Sequence, residues 1–388
     1  MKRISLRRFA SALIGIVFLA SGLLKIVDPV GTMLIITEYL KFFHIAFLVP
    51  AAKGLGIALS MVEAITGICL ITGVFRKATA WVTTGLLAFF TAVTLVLWIK
   101  NPSMDCGCFG EAIHLSHAQS LLKNVVMLVL ALWAFIPYGD FGKAPVRKYV
   151  SACIASISIV VAVVYCNTHL PLLDHTDFRV GAEIFASLED DIEADNHYRQ
   201  ALTYQKDGKT GQFLPGFYPG SDWELVRKDT VFVKSPYATE TFPILSFRDG
   251  ADVYCDSLAA KGRVIIFSIY NPEKAPWERV AAGYNAALEA GATPLVLVAC
   301  APSQISNVPV PVYFADYKTL ITLNRDNGGA VYLSEGEIIL KWTSKGVPPD
   351  FYGVVQDDPV NLSAWKLGRS RLKAQGFCLY LAALLILV

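Results

Sequence analysis

Apolar residues run in long blocks through the first part of the chain and in short alternating ones through the rest. Phe9 to Val27, Gly54 to Val74, Ala78 to Ile99, Gln119 to Tyr138 and Tyr149 to Cys166 each approach the roughly 20 apolar residues that carry a helix across a bilayer. The pattern predicts five membrane spans. Residues 33 to 49 differ: Glu38, Lys41 and His44 recur at three-residue intervals among aromatic and aliphatic side chains, which suits an interfacial or re-entrant helix. Ala374 to Val388 is apolar but only 15 residues long, so a helix that docks on or enters the membrane is expected there.

Past Cys166 the blocks shorten. Residues 168 to 240 show alternation and turns, as in Ala201 to Gln205, Lys206-Asp207-Gly208-Lys209 and Thr230 to Lys234, and predict a small β-rich segment. Strands are then predicted at Phe242 to Phe247, Arg263 to Tyr270, Pro294 to Cys300 and Val310 to Ala315. Helices are predicted at Trp277 to Ala290 and Asp316 to Asn324. A hairpin across Ser334-Glu335-Gly336-Glu337 joins Gly329 to Leu333 with Ile338 to Thr343. That order, over residues 242 to 346, resembles a thioredoxin-like fold. Asn271-Pro272-Glu273-Lys274 stands where such a domain carries its redox thiols, and Asn327-Gly328-Gly329 stands in place of its proline. A domain of this kind offers a groove for an extended peptide, and a recognition role is expected of it rather than thiol exchange.

Composition agrees with this division. The chain has 388 residues, 54% of them hydrophobic, and a mean hydropathy of +0.48, too apolar for an ordinary soluble protein. Its net charge of +2 hides an uneven distribution: residues 168 to 365 hold 16 Lys and Arg against 26 Asp and Glu, and the remainder holds 18 against 6. The basic residues cluster beside the apolar spans, so no nucleic-acid partner is implied. Lys2, Arg3, Arg7 and Arg8 precede a first span without a small-x-small cleavage site, and Arg76, Lys77, Lys143, Arg147 and Lys148 follow at alternate turns. The positive-inside rule then places the N-terminus in the cytoplasm, and a bacterial inner membrane is the expected location. The loop from Lys100 to Ala118 and the acidic domain both fall outside, in the periplasm. Lys366, Arg369, Arg371 and Lys373 are the exception, lying on the outer side of the last apolar run.

The chemistry centres on Asp105-Cys106-Gly107-Cys108-Phe109-Gly110, in the outer loop between two spans. Two thiols one residue apart close only a small, strained disulfide, which is easily reduced and therefore suits exchange better than stapling. With His114 and His117 the same cysteines offer four zinc ligands, though not at a standard spacing, and a plain structural loop is the third reading. Cys69, Cys153 and Cys378 lie in apolar segments and Cys300 ends a strand, all expected to pack. Cys166 and Cys255 are the other redox candidates. Lys25 and Glu63, ionisable residues within spans, are candidates either for pairing with each other or for binding a polar head group such as a quinone's carbonyl.

Ser21-Gly22-Leu23-Leu24-Lys25, Glu63 followed by Gly67, Gly73-Val74-Phe75-Arg76, Cys106-Gly107-Cys108-Phe109-Gly110 and Lys123-Asn124 together resemble the DoxX-like superfamily. Within it the array is most similar to the methylamine utilisation protein MauE family, over about residues 8 to 138. The longer layout, with an outer domain attached, looks like DoxX-type proteins of Bacteroidetes. The resemblance implies a four-helix membrane bundle, to which the pattern adds a fifth span. It also implies a link to maturation of disulfide-rich extracytoplasmic proteins, and the bundle is similar to those of quinone-linked disulfide-forming membrane proteins. Those use two cysteine pairs, whereas this bundle has one obvious pair.

Two functions are expected from these features. One is a thiol–disulfide redox or maturation factor working through Cys106 and Cys108, with the outer domain recognising a client protein and a membrane quinone as electron acceptor. The other is a non-catalytic membrane scaffold or assembly factor whose outer domain binds a partner.

Overall fold

The computed structural model describes residues 2–102, 104, 106–113, 115–135, 144–186, 197–206, 209–213, 224–233, 242–305 and 308–386. Asp105, His114, Lys143, Asp207, Gly208, Lys234 and the end of the fourth predicted span lie outside the described residues.

The membrane region consists of α1 (Lys2–Val27), α2 (Pro29–Phe42), a 3-10 turn (Ala46–Ala51), α3 (Ala52–Thr72), α4 (Arg76–Lys100), a short extended segment β1 (Cys108–Glu111), α5 (His117–Phe135) and α6 (Val146–Thr168). Five of these stretches are long and apolar enough to cross a membrane, so the protein is multi-pass. Their outward side chains, among them Phe9, Trp81, Phe89, Leu122 and Val161, remain exposed and apolar, as contact with lipid requires. The α1–α3 seam is built from small residues: a Cβ on Gly22 would stand 2.6 Å from the Ala64 nitrogen, and one on Gly67 2.6 Å from the Leu19 nitrogen. The two backbones touch there. This close approach brings Lys25 on α1 within reach of Glu63 on α3.

α2 corrects one expectation. The predicted polar stripe stops at Lys41, because the helix ends at Phe42 and His44 adopts a left-handed φ of 58° before the proline-containing turn. The helix begins at Pro29, with the Asp28 carboxylate accepting from the Gly31 N–H at 2.9 Å.

In the outer half, β2 (Phe185–Ala186) pairs with β6 (Phe242–Pro243), and β3 (His197–Lys206) lies between β4 (Lys209–Phe213) and β5 (Glu224–Val233) in a three-stranded antiparallel sheet. The strand predicted over Phe242 to Phe247 shrinks to two residues, since Pro243 has no N–H with which to continue a ladder.

The main sheet follows: β7 (Arg263–Ile269), α7 (Trp277–Glu289), β8 (Thr293–Val298), β9 (Tyr313–Phe314), α8 (Tyr317–Leu323), β10 (Gly329–Ser334) and β11 (Glu337–Trp342). Its order is β11-β10-β7-β8-β9; β7, β8 and β9 are parallel, and β10 is antiparallel to both neighbours. Alternation along β7 fills two cores. Ile265, Phe267 and Ile269 pack with Val280 and Ala287 of α7, while Val264 and Ile266 pack with Leu320 and Leu323 of α8. The predicted hairpin forms, with Glu335 and Gly336 both at positive φ, as a two-residue turn matching strand twist requires.

After α9 (Tyr352–Gln356), α10 (Pro359–Ile386) is one continuous 28-residue helix. Its second half runs antiparallel to α6: Lys373 donates to the Tyr165 hydroxyl at 3.3 Å, Ser158 and Tyr380 hydroxyls meet at 3.1 Å, and Ser151 donates to the Leu384 carbonyl. The last apolar run thus follows α6 along most of its length. The outer domain is also tied to α2 by Arg325–Asp28 at 2.8 Å and by the exposed pair Lys318–Glu38 at 3.1 Å.

Candidate functional site around the paired cysteines

α4 ends at Asn101 in a left-handed conformation, and the chain returns to α5 through the loop that carries the cysteines. Gly107 and Gly110 take φ of 60° and 64°, and the Gly110 N–H donates to the Gly107 carbonyl at 3.2 Å. This tight turn brings the Cys106 and Cys108 sulfurs to 3.6 Å, as free thiols.

α2 holds the loop from one side. Residues 31, 35 and 39, one turn apart on one stripe, meet it in succession. A Cβ on Gly31 would stand 2.7 Å from Glu111 Cγ, a Cβ on Gly107 would stand 2.4 Å from Ile35 Cγ2, and the Tyr39 hydroxyl donates to the Cys106 carbonyl. Cys106 is consequently buried, whereas Cys108 is half-buried.

The two thiols differ in acidity. The Cys106 S–H, hydrogen-bonded to Cys108, holds the Cys108 thiol down at about 5; burial opposes this, and the Lys123 ammonium adds to it. The same bond pushes Cys106 well above the ordinary thiol range, and burial pushes it further. At neutral pH the reduced pair is therefore a thiolate at Cys108 beside a protonated Cys106. Lys123 stays close by, its ammonium 4.6 Å from the Phe109 ring centroid.

Beneath the pair, Lys25 Nζ lies 2.7 and 2.9 Å from the two Glu63 oxygens, both residues buried. The single hydroxyl proton of Ser21 faces two acceptors, Glu63 Oε2 at 2.8 Å and the Cys108 carbonyl at 2.7 Å. Ser21 thus joins the ion pair to the redox loop. A cavity of about 80 Å³ opens here, bearing Lys25, Glu63, Asn124 and Cys108 among apolar walls such as Ile35 and Phe90. A larger cavity of about 320 Å³ lies at the opposite end of the bundle beside Arg8 and Arg76, and neither Cys106 nor Cys108 lines it.

Cys106, Cys108, Lys25 and Glu63 are therefore gathered in one place. The other cysteines are not: Cys166 is buried beside Asp28 in a cavity under the outer domain, Cys255 sits on the edge of that domain's core, and the two form no disulfide. Cys153 and Cys378 are exposed on their helices rather than packed inside. The His117 ring meets the Pro102 carbonyl at 3.1 Å, and no three His, Cys, Asp or Glu side chains among the described residues converge on a metal site.

Sequence reasoning assigned no role to Ser21, Ile35, Tyr39 or Lys123. Ser21 and Lys123 belong to the resembling array, which was the available signal; Ile35 and Tyr39 carry no mark apart from their four-residue spacing.

No match is found among curated proteins or solved structures. Residues 3–137, the stretch that supplies every side chain of this site, match the model of a family described as methylamine utilisation protein MauE, and form a MauE-type membrane domain of apolar helices.

Proposed function

We propose that this protein is a membrane-embedded thiol–disulfide redox or maturation factor for extracytoplasmic proteins, with Cys106 and Cys108 as the exchanging pair. The observation that carries the reading is the pair of free sulfurs held 3.6 Å apart in a tight turn beside the Lys25–Glu63 cavity. In the oxidising direction a client thiolate attacks the disulfide at Cys108, the less buried residue of the pair. The Cys106–Cys108 bond breaks and Cys106 leaves, taking up a proton. The client's second thiolate then attacks its own sulfur in the mixed disulfide and expels Cys108, whose low thiol pKa makes it a good leaving group. The client loses two electrons and two protons, and the pair gains them.

A membrane quinone, when bound, would accept those two electrons and two protons and restore the disulfide. The donors facing the cavity, the Lys25 ammonium and the Asn124 amide, suit a carbonyl oxygen. The space of about 80 Å³ is roughly half of a cavity of about 150 Å³ that admits benzene. Lys25, Asn124 and the apolar walls would hold a carbonyl edge there rather than a whole ring. Glu63, hydrogen-bonded to Ser21 and so linked to the Cys108 loop, is placed to hold a proton in transit.

The strand order of the main sheet supports a thioredoxin-like reading of the outer domain. Its loop at Asn271 is held to Asn327 by reciprocal hydrogen bonds of 2.9 Å and bears no thiol. We assign this domain to client recognition on the periplasmic side of an inner membrane. One observation favours the scaffold reading: Cys106 is covered by α2, which itself carries the outer domain. The two readings separate in intact cells. Acid quenching and mass-tag alkylation after a pulse of impermeant reductant should find Cys106 and Cys108 reduced and then re-oxidised within minutes. A pair that stays in one state throughout favours the scaffold.

A further inference from the structure

The cations at the start of α10's apolar half stand where the orientation rule for membrane helices disfavours them. Two of the four have aromatic partners: Arg369 lies 5.1 Å from the Trp365 ring centroid and Lys373 lies 5.8 Å from that of Tyr165. The other two, Lys366 and Arg371, turn toward a cavity of about 280 Å³ that Arg179 also lines. Its opposite wall is Leu170 to Leu173, the apolar segment just past α6. Lys341 and Asp174 line it as well but neutralise each other at 2.8 Å. Burial alone would raise Asp174, yet Lys341 and Thr176 hold it below the ordinary carboxylate range. Arg325, also at the cavity, is committed to Asp28. Arg179, Lys366 and Arg371 have no carboxylate partner among the described residues.

Three unneutralised cations facing a leucine wall, at the level where two helices leave the bilayer, make an amphipathic site. We propose that this cavity binds the phosphate headgroup of an anionic phospholipid from the outer leaflet, its acyl chains continuing past Leu170 to Leu173 into the bilayer beside α6. Charge complementarity supplies the headgroup preference, and the apolar wall selects a lipid over a free anion. The bound lipid lies against both α10 and the segment leading into the outer domain, so it joins that domain to the membrane independently of the Arg325–Asp28 pair.

Native mass spectrometry of the delipidated full chain, titrated with phosphatidylglycerol, phosphatidylcholine, inorganic phosphate or an acidic peptide, tests this. One phosphatidylglycerol should bind in preference to phosphatidylcholine. Lys366→Gln with Arg371→Gln should weaken that binding about 30-fold, from roughly one charge's worth of attraction at each position. Arg179→Gln should weaken it less, and Arg369→Gln, whose side chain faces Trp365, should leave it intact. Melting temperatures in phosphatidylcholine report that each variant is folded. The proposal is overturned if the folded double variant keeps the preference or Arg369→Gln loses it equally. It is also overturned if inorganic phosphate or the acidic peptide occupies the site as well as the lipid does.

Discussion

Asp28 serves two parts of the molecule with one carboxylate: Oδ1 caps α2 through the Gly31 N–H, and Oδ2 accepts from Arg325 of the outer domain at 2.8 Å. Both side chains are largely buried, so removing one strands the other. Arg325→Ala should cost about 3–5 kcal/mol at this interface, seen as a lower melting temperature and faster proteolysis between α6 and β7. Since Gly31, Ile35 and Tyr39 of the helix that Asp28 caps hold the CxC loop, the same variant should speed alkylation of Cys106. Unchanged Cys106 labelling in a destabilised variant would mean that docking and access to the pair are independent.

The Lys25–Glu63 pair is enclosed within the bundle, which makes its two halves unequal to their sum. Glu63→Gln alone leaves an unmatched buried ammonium and should destabilise by about 3 kcal/mol or more, whereas Lys25→Met with Glu63→Leu should be nearly neutral. Thermal unfolding in one detergent compares them. If the pair serves re-oxidation of the cysteines, the double variant keeps its stability and still re-oxidises slowly in cells.

Gly107 has neither the space nor the backbone angle for a side chain. Gly107→Ala combines left-handed strain, about 1 kcal/mol or more, with a Cβ 2.4 Å from Ile35 Cγ2. The loop should shift away from α2 and the Cys106–Cys108 bond should form more slowly in oxidant titrations. Ile35→Ala in the same chain should restore part of the rate by removing the clash but not the strain.

Cys108 should label as a thiolate down to low pH. In the reduced protein its alkylation rate is expected to stay level from neutral pH to about 6 and to fall with a midpoint near 5. The sign follows from the cause: the charged form is stabilised, so reactivity is lost only as pH drops through the lowered value. Cys106→Ala removes the donor, moves the midpoint up, and should slow labelling at pH 6 by about tenfold or more. A midpoint unchanged by that substitution would assign the acidity to another group.

Hydropathy made the spans legible because bilayer thickness sets their length, and Glu335-Gly336 made the last hairpin legible because few residues accept its turn. The CxC pair was legible for its chemistry. Its cover was not: whether residue 35 or 39 meets the loop depends on how α2 is rotated about its axis, which local pattern does not encode. The Asp28–Arg325 contact joins residues 297 apart in sequence, and nothing near either residue marks its partner. The sequence of α10 divides into a basic stretch and a short apolar run. It is one helix because its cations lie on faces that meet aromatic rings, a cavity or solvent, so they do not interrupt it. The stripe at Glu38, Lys41 and His44 failed for the opposite reason, since a period of three was extended past the helix end.

The most direct test of the exchange chemistry is a trap. With Cys106→Ser, the Cys108 thiolate can still attack a client disulfide, the reverse of the exchange, and no Cys106 thiol is left to expel the client sulfur from the mixed disulfide. Non-reducing electrophoresis of acid-quenched membranes should then show higher-mass, reductant-sensitive adducts that are absent with Cys108→Ser. Adducts with neither variant, or with Cys108→Ser alone, would contradict the assignment of Cys108 as the sulfur that meets the client.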